Sequence, residues 1–483
     1  MKELANLAIQ AAMDQGAQYV EVRFEETEEE HLVVKNGLVE ESQQKYCLGY
    51  GIRVLWNGAW GFAASFSLDK EAIARTARQA VAIAKGSARV RNQSLQLAPN
   101  SAYQDSWRGS WQIDPRTVSL QDKIDYLLQC DQTMQAVKGI TICESFMEFV
   151  QIHKWFASSE GSWIEQEIPV SGVGIAATAI RDDELQTRSY PNSFFGQYEG
   201  IGYEIVDRWK PREHAERIAH EAVALLDAPP CPQGVKTLII DSTQMALQIH
   251  ESCGHAVELD RVLGSEINDY GSSFLTLDKL SSSYRYASPR VTIVADPLHP
   301  GGLGTYAYDD EGVPAKKTYL VQEGIFRNYL TSRETAASIG QDESNGSMRA
   351  ENYNRIPLIR MTNINLEPGH TPLAEMIGET EDGLFIAVNR SFSIDDRRWQ
   401  FQFGTEIGWL IKRGKLRQMV KNPIYNGITP HFWQSCDAIA PAEEWILWGV
   451  PGCGKGQPDQ GARVSHGCSP TRFQDVQVGS IRG

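Results

Sequence analysis

Apolar residues return at helical spacing over residues 3–15, where Leu4, Leu7, Ala8 and Ala11 share one face. Alternation then takes over at 18–26, 31–40 and 46–56, and two Asn-Gly pairs, Asn36-Gly37 and Asn57-Gly58, supply turns. The second turn leads into a strand over 59–66. Ser67 predicts a helix N-cap, with Asp69 and Glu71 in the first turn of a helix reaching about residue 85. Residues 1–88 thus read as an α+β unit, and polar residues 89–115, with Pro99 and Pro115, read as a linker. Residues 116–228 repeat the element content: a helix over 118–137, strands over 139–151, 152–158, 162–168 and 171–181, and a helix over 212–227 stopped by Pro229-Pro230. No repeat is visible residue by residue. A buried-type strand over 235–240 follows Pro232, and Ser242 then caps a helix. From 290 onward strands dominate, at 290–294, 317–321, 325–330, 358–364, 384–391, 400–403, 406–412 and 416–420. The predicted fold class is α+β: two small helix/strand N-terminal units, then a strand-rich antiparallel β domain over 232–483, sandwich or barrel-like.

A chain of 483 residues is too long for one compact core, which fits this division. Its apolar content of 42% and charged content of 22% are ordinary for a globular protein. The net charge of −15 repels polyanions, so nucleic acid is not an expected partner. Glu3, Asn6 and Gln10 interrupt the first apolar stretch, which favours an amphipathic helix over a signal peptide. No run of 18 apolar residues predicts a membrane span. The eight scattered cysteines do not form a disulfide framework, so the expected location is cytoplasmic.

One stretch carries chemistry: His250-Glu251-Ser252-Cys253-Gly254-His255, followed by Glu258 and Asp260. Zinc peptidases with an HExxH helix set two histidines four residues apart, which rotates them by about 40°. Five residues rotate by about 140°, so a regular α-helix would send His250 and His255 to different sides. One π-type turn, with its i→i+5 hydrogen bond, would bring them back together, and Gly254 would ease that distortion. A catalytic zinc takes three protein ligands and keeps one position open. Cys453, in the Gly-rich segment Pro451-Gly-Cys-Gly-Lys455-Gly-Gln457, reads as displayed for chemistry, with Lys455 favouring its thiolate. His466 and Cys468 are the rivals. Glu251, beside the first histidine, is the candidate general base, and Glu258 and Asp260 are candidates to accept a ligand histidine's N–H. Cys253 and Cys436 read as packing. A metal-free alternative, a hydrogen-bonded histidine pair in a core, also fits the stretch taken alone.

Taken together, several motifs resemble those of the TldD/PmbA metallopeptidases: His250-Glu251-x-x-x-His255 with Glu258-x-Asp260, the 301–314 segment from Gly301-Gly302-Leu303-Gly304 through Asp309-Asp310-Glu311, Arg360-Met361-Thr362-Asn363, and Cys453-Gly-Lys-Gly-Gln457. The match covers almost the whole chain and is most specific from about residue 230, on the side of the family that keeps its metal ligands. The resemblance implies Zn2+ held by His250, His255 and Cys453, with Glu251 as catalytic base. It also implies cleavage of small or unfolded peptides, leader peptides included, and pairing with a TldE/PmbA-like subunit or with itself. It makes Asp309 part of a peptide-cleft wall. Arg360 and Asn363 are expected to hold a peptide carboxylate or backbone, or else to brace the β domain. The rival function is a non-catalytic zinc protein that binds peptide, with His466 or Cys468 as a fourth ligand.

Overall fold

The computed structural model describes residues 1–90, 94–193, 196–281 and 283–480, so residues 91–93 of the expected linker lie outside it. It is a mixed structure, 25% helix and 42% strand, with the strand-rich half at 232–480. Among the described residues no helix is long and apolar enough to cross a membrane.

The strands of the two N-terminal units hydrogen-bond into one eight-stranded sheet. Tyr19–Lys35 lies inside it, antiparallel to Leu38–Trp56 on one side and to Ile140–Ser158 on the other. Trp163–Arg181 follows, with Gln104–Arg108, from the expected linker, added in parallel to one end of it. Several predicted strands prove to be halves of longer ones. Residues 26–31 interrupt the apolar alternation with glutamates, yet the strand runs through them because both neighbours carry its backbone hydrogen bonds. Both faces are polar there, so no alternation is needed. Cross-strand partners replace it: the Tyr46 hydroxyl donates to Glu26 at 2.7 Å, and Lys45 meets Glu29 at 3.3 Å.

One face of the Tyr19–Lys35 strand presents Val20, Val22 and Phe24 to the helices Lys2–Met13 and Lys70–Ser87, whose buried alanines let them approach closely. The second helix starts at Lys70 with Asp69 at the N-cap, two residues after the expected Ser67. The opposite face presents Glu21, Arg23 and Glu25, all buried. These charges meet the 301–314 loop of the C-terminal domain.

That domain is built on a closed ring of five strands: Gly234–Ile240, Thr471–Ser480, Pro423–Ile428, Gln400–Lys412 and Asp382–Ile394, the last pairing in parallel with the first. The helix Ser242–Ile249 leaves the first of these strands, with the Asp241 side chain, rather than Ser242, capping it by accepting from Thr243 N. Beside the ring lie a four-stranded sheet and the hairpin Ile446–Lys455/Gln460–Cys468. Sequence reading placed no strand after 420. The glycines at 449, 452 and 454 mask the alternation of the Ile446–Lys455 strand.

Candidate metal centre

The helix from Ser242 does not stop at Ile249. It widens into a single π-turn over His250–Gly254, in which His255 N–H donates to the His250 carbonyl. The two imidazoles therefore converge, with ring centroids 4.8 Å apart. Gly254 takes part differently from the expectation. Its φ of −53° is one any residue adopts, but a Cβ there would lie 2.0 Å from Met361 Sδ. A larger residue would force the Met361 side chain to move, so glycine here serves close packing and not backbone freedom.

Cys453 comes from the hairpin strand and not from an exposed loop; it is 3% exposed. A bulge sets two residues, Pro451 and Gly452, against Arg463 alone between the pairs Val450↔Val464 and Cys453↔Ala462. Such a bulge re-aims the side chain that follows it, and proline is tolerated at one because no ladder donor is needed there. Cys453 Sγ lies 3.6 Å from His255 Nε2. Donor atoms of His250, His255 and Cys453 all lie within 4.8 Å of one another. Two ligands at about 2.0 and 2.3 Å from one tetrahedral ion are separated by roughly 3.5 Å, so the spacing suits a metal.

Hydrogen bonds fix which nitrogen each histidine presents. His255 Nδ1 meets the Glu258 carboxylate at 2.9 Å, so it carries the proton and Nε2 keeps its lone pair. His466 Nδ1 lies 3.1 Å from the Ile364 carbonyl and must donate to it; its Nε2 then accepts from His250 Nδ1 at 2.8 Å. This relay leaves His250 Nε2 as a lone pair as well. Burial lowers the basicity of all three rings, and for His466 strongly. Both nitrogens of His466 are engaged, and Cys468 Sγ points to the Ser242 carbonyl at 3.3 Å, so neither joins the donor cluster.

Burial would raise the Glu258 carboxyl, but Lys455, His255 and Arg261 outweigh it and hold the group well below its ordinary range. Lys455 was expected to support the thiolate. It is fully buried and instead pairs with Asp260 at 2.7 Å and Glu258 at 3.4 Å. The thiolate is favoured by other groups: burial raises the Cys453 thiol, and His255 and Arg360 more than reverse this. Cys253 sits in the core, its thiol pushed up to about 12 by burial.

The donor atoms open on a cavity of 310 Å³, walled by Glu251, Leu247, Tyr270, Asn389, Phe392, Arg398 and Val450. A roomier cavity of 540 Å³ lies along the N-terminal sheet, between Glu28, Trp111 and Arg116, but it holds none of the three donors. Chemistry, not size, marks the smaller one as the site. Arg398 was missed by sequence reading. Its only signal is a charged tetrad, Asp395-Asp396-Arg397-Arg398, between two strands.

The three residues expected on substrate are each held by the protein around them. Arg360 is 1% exposed; it donates to the Gln460 carbonyl at 2.9 Å and to the Cys453 carbonyl. It holds the Cys453 strand, which is the bracing role. Asn363 is fully buried, accepting from Gly304 N and donating to Asp296 O and Thr305 Oγ1, each at 2.9 Å. Asp309 is 3% exposed and accepts from the backbone of Glu311, Val313 and Met348. Its neighbours Asp310 and Glu311 reach the N-terminal sheet, meeting Lys154 at 3.1 Å and Arg53 at 2.7 Å.

A family model described as the PmbA/TldA metallopeptidase C-terminal domain matches residues 232–480; the companion models for domain 1 and the central domain match 20–84 and 113–226. The chain belongs to this PmbA/TldD metallopeptidase family. A metalloprotease of Methanocaldococcus jannaschii is 31% identical over 411 residues, covering 85% of this chain and 86% of that protein. One of Synechocystis is 30% identical over 468 residues, 96% of this chain and 95% of its own. A Haemophilus influenzae protein named metalloprotease TldD homolog is 24% identical across 95% of this chain and 92% of its own. Among solved structures, TldE from Thermococcus kodakarensis shares the fold with a TM-score of 0.72 at 15% identity, over 99% of each chain.

Proposed function

We propose that this protein is a zinc-dependent peptidase acting on small or unfolded peptides, with His250, His255 and Cys453 as metal ligands and Glu251 as general base. The observation that carries the reading is the convergence of two oriented imidazole nitrogens and a favoured thiolate within 4.8 Å, beside a carboxylate that is not part of the set. A bound metal would supply Lewis acidity, polarising the scissile carbonyl and acidifying water. Glu251 takes the proton of the attacking water and returns it to the leaving amine. Substrate adds as an extended strand to a free sheet edge, read mainly through its backbone. The relatives' names point to a protease, and the likeness to a TldE fold motivates pairing with a TldE/PmbA-like subunit; self-association is the other option. We assign the protein to the cytoplasm, where its eight unpaired cysteines stay reduced.

The test is metal analysis joined to a peptide-cleavage assay. We expect about one zinc per chain, its loss in Cys453→Ala, and its retention without turnover in Glu251→Ala. Zinc content indifferent to Cys453→Ala would sink the ligand assignment; hydrolysis by Glu251→Ala would remove the base. The non-catalytic reading needs a fourth protein ligand, and the engagement of His466 and Cys468 elsewhere speaks against it.

A further inference from the structure

Of the described side chains that wall the candidate metal cavity, Arg398 is the sole Lys or Arg. Its Nη1 donates to Glu251 Oε2 at 3.0 Å, and among the described residues this is the only hydrogen bond to that carboxylate. Both side chains are nearly buried, at 12% and 7% exposure. Among the described residues no hydrogen bond reaches the other carboxylate oxygen, Oε1, and the Glu251 side chain walls the cavity. One oxygen is clamped and the other is left to face whatever enters.

The backbone gives a second, independent observation. Arg398 has φ +60°, a left-handed conformation that glycine or asparagine fills with less strain. Lys210, Glu323 and Arg413 share this conformation, so what distinguishes Arg398 is how its turn is held. The turn that holds it is fastened from several sides. Arg398 N–H donates to the Asp395 carbonyl at 2.9 Å, and Thr429 Oγ1 donates to the Arg398 carbonyl at 2.8 Å. Ser272 and Phe274 N–H donate to the carbonyls of Asp396 and Arg397. The guanidinium therefore starts from a fixed point, and Glu251 starts from the rigid π-turn.

We propose that Arg398 is the positioning residue for Glu251: it pins Oε2 so that Oε1 is held towards the reacting water. The proposal rests on the reading of Glu251 as base. Arg398 acts through that carboxylate and makes no claim on substrate. A well-aimed base contributes on the order of 10²-fold or more to a proton-transfer step, and a small misplacement forfeits much of that.

The experiment uses full-length, zinc-loaded Arg398→Ala and Arg398→Lys with a fluorescence-quenched decapeptide as probe, alongside zinc content and a crystal structure of each variant. We expect Arg398→Ala to keep its zinc and its KM within about threefold while kcat falls about 10²-fold. Arg398→Lys should recover part of that loss, and added guanidinium should raise kcat of Arg398→Ala and not of the parent. In the Arg398→Ala crystal, Glu251 should leave its present position. Unchanged kcat, or a raised KM with unchanged kcat, would overturn the proposal. So would a Glu251 carboxylate that stays in place without the arginine, and this readout decides the matter even if the parent cleaves no peptide. In that event the peptidase reading fails separately.

Discussion

The candidate metal centre and the joint between the N-terminal sheet and the 309–311 loop both bury dense clusters of charge, but they differ in what is left over. At the joint, Arg53 lies 2.7 Å from both Glu21 and Glu311, and Lys154 lies 3.1 Å from Asp310 and 3.5 Å from Glu25. Cation answers anion there, and the charges hold two parts of the molecule in register. At the centre the outer groups are just as closely matched, Lys455 with Glu258 and Asp260, Arg398 with Glu251. Inside that frame, however, His250 Nε2 keeps its lone pair, and the side chains of His250, Cys453 and Glu251 wall a cavity. A buried ion cluster with every group paired is structure; one that ends in aligned, unspent acceptors is equipped for chemistry.

The contrast can be broken most forcefully at the unspent atoms. Cys453→Ala should remove essentially all bound metal and all peptide cleavage while the melting curve of the metal-free protein stays close to that of the metal-free parent, as measured by metal analysis and calorimetry. Glu251→Gln should bind metal normally and lose about 10²- to 10⁴-fold in kcat. At the joint the expected damage is of the other kind. Arg53→Ala strands Glu21 and Glu311 in the interior and should cost about 3–5 kcal/mol in denaturant unfolding, with metal affinity unaltered. If Arg53→Ala also emptied the site, the two clusters would not be separable.

Finer effects sharpen the comparison. His466→Leu removes the acceptor that fixes the His250 tautomer and should weaken metal binding about 10- to 100-fold in a chelator competition, with little change in fold. The smallest effect belongs to Asp310. Burial would raise its carboxyl, but Lys154 and Arg23 hold it below the ordinary value. A depressed folded-state pKa contributes stability that is complete above about pH 3.9 and is lost as pH falls through the folded value. Asp310→Asn should therefore flatten the acid limb of a melting-temperature profile below about pH 4. A profile that keeps its slope would remove Asp310 from the acid response.

Periodicity made the long helices near 3–15, 67–85, 118–137 and 212–227 legible, since each has an apolar stripe, while short ones such as Glu204–Trp209 and Leu373–Glu379 gave no signal; the His250–His255 spacing made the π-turn legible, since no regular helix could use both rings. Strand lengths were not legible where both faces are polar, as at Glu28–Glu30, because there the pairing partners alone hold the strand. The Cys453 strand was hidden by its glycines and by a bulge that only the opposite strand defines. Arg398 and the relay through His466 were out of reach for a related reason: each works through a hydrogen bond across 147 or 216 residues of sequence, and nothing local announces it. Arg360 and Asn363 had two readings from sequence, and their burial is compatible with the bracing one.

His255 and the thiol beside it stand 198 positions apart, and the ring that carries the first histidine closes only when Thr471–Ser480 slots between Gly234–Ile240 and Pro423–Ile428. During synthesis, a ribosome-bound chain with residues up to 440 exposed has both histidines but no thiolate and an open ring. Assembly of the donors is thus among the latest, most non-local folding events. The order of translation thus supplies the last donor of the cluster only as the domain around it closes.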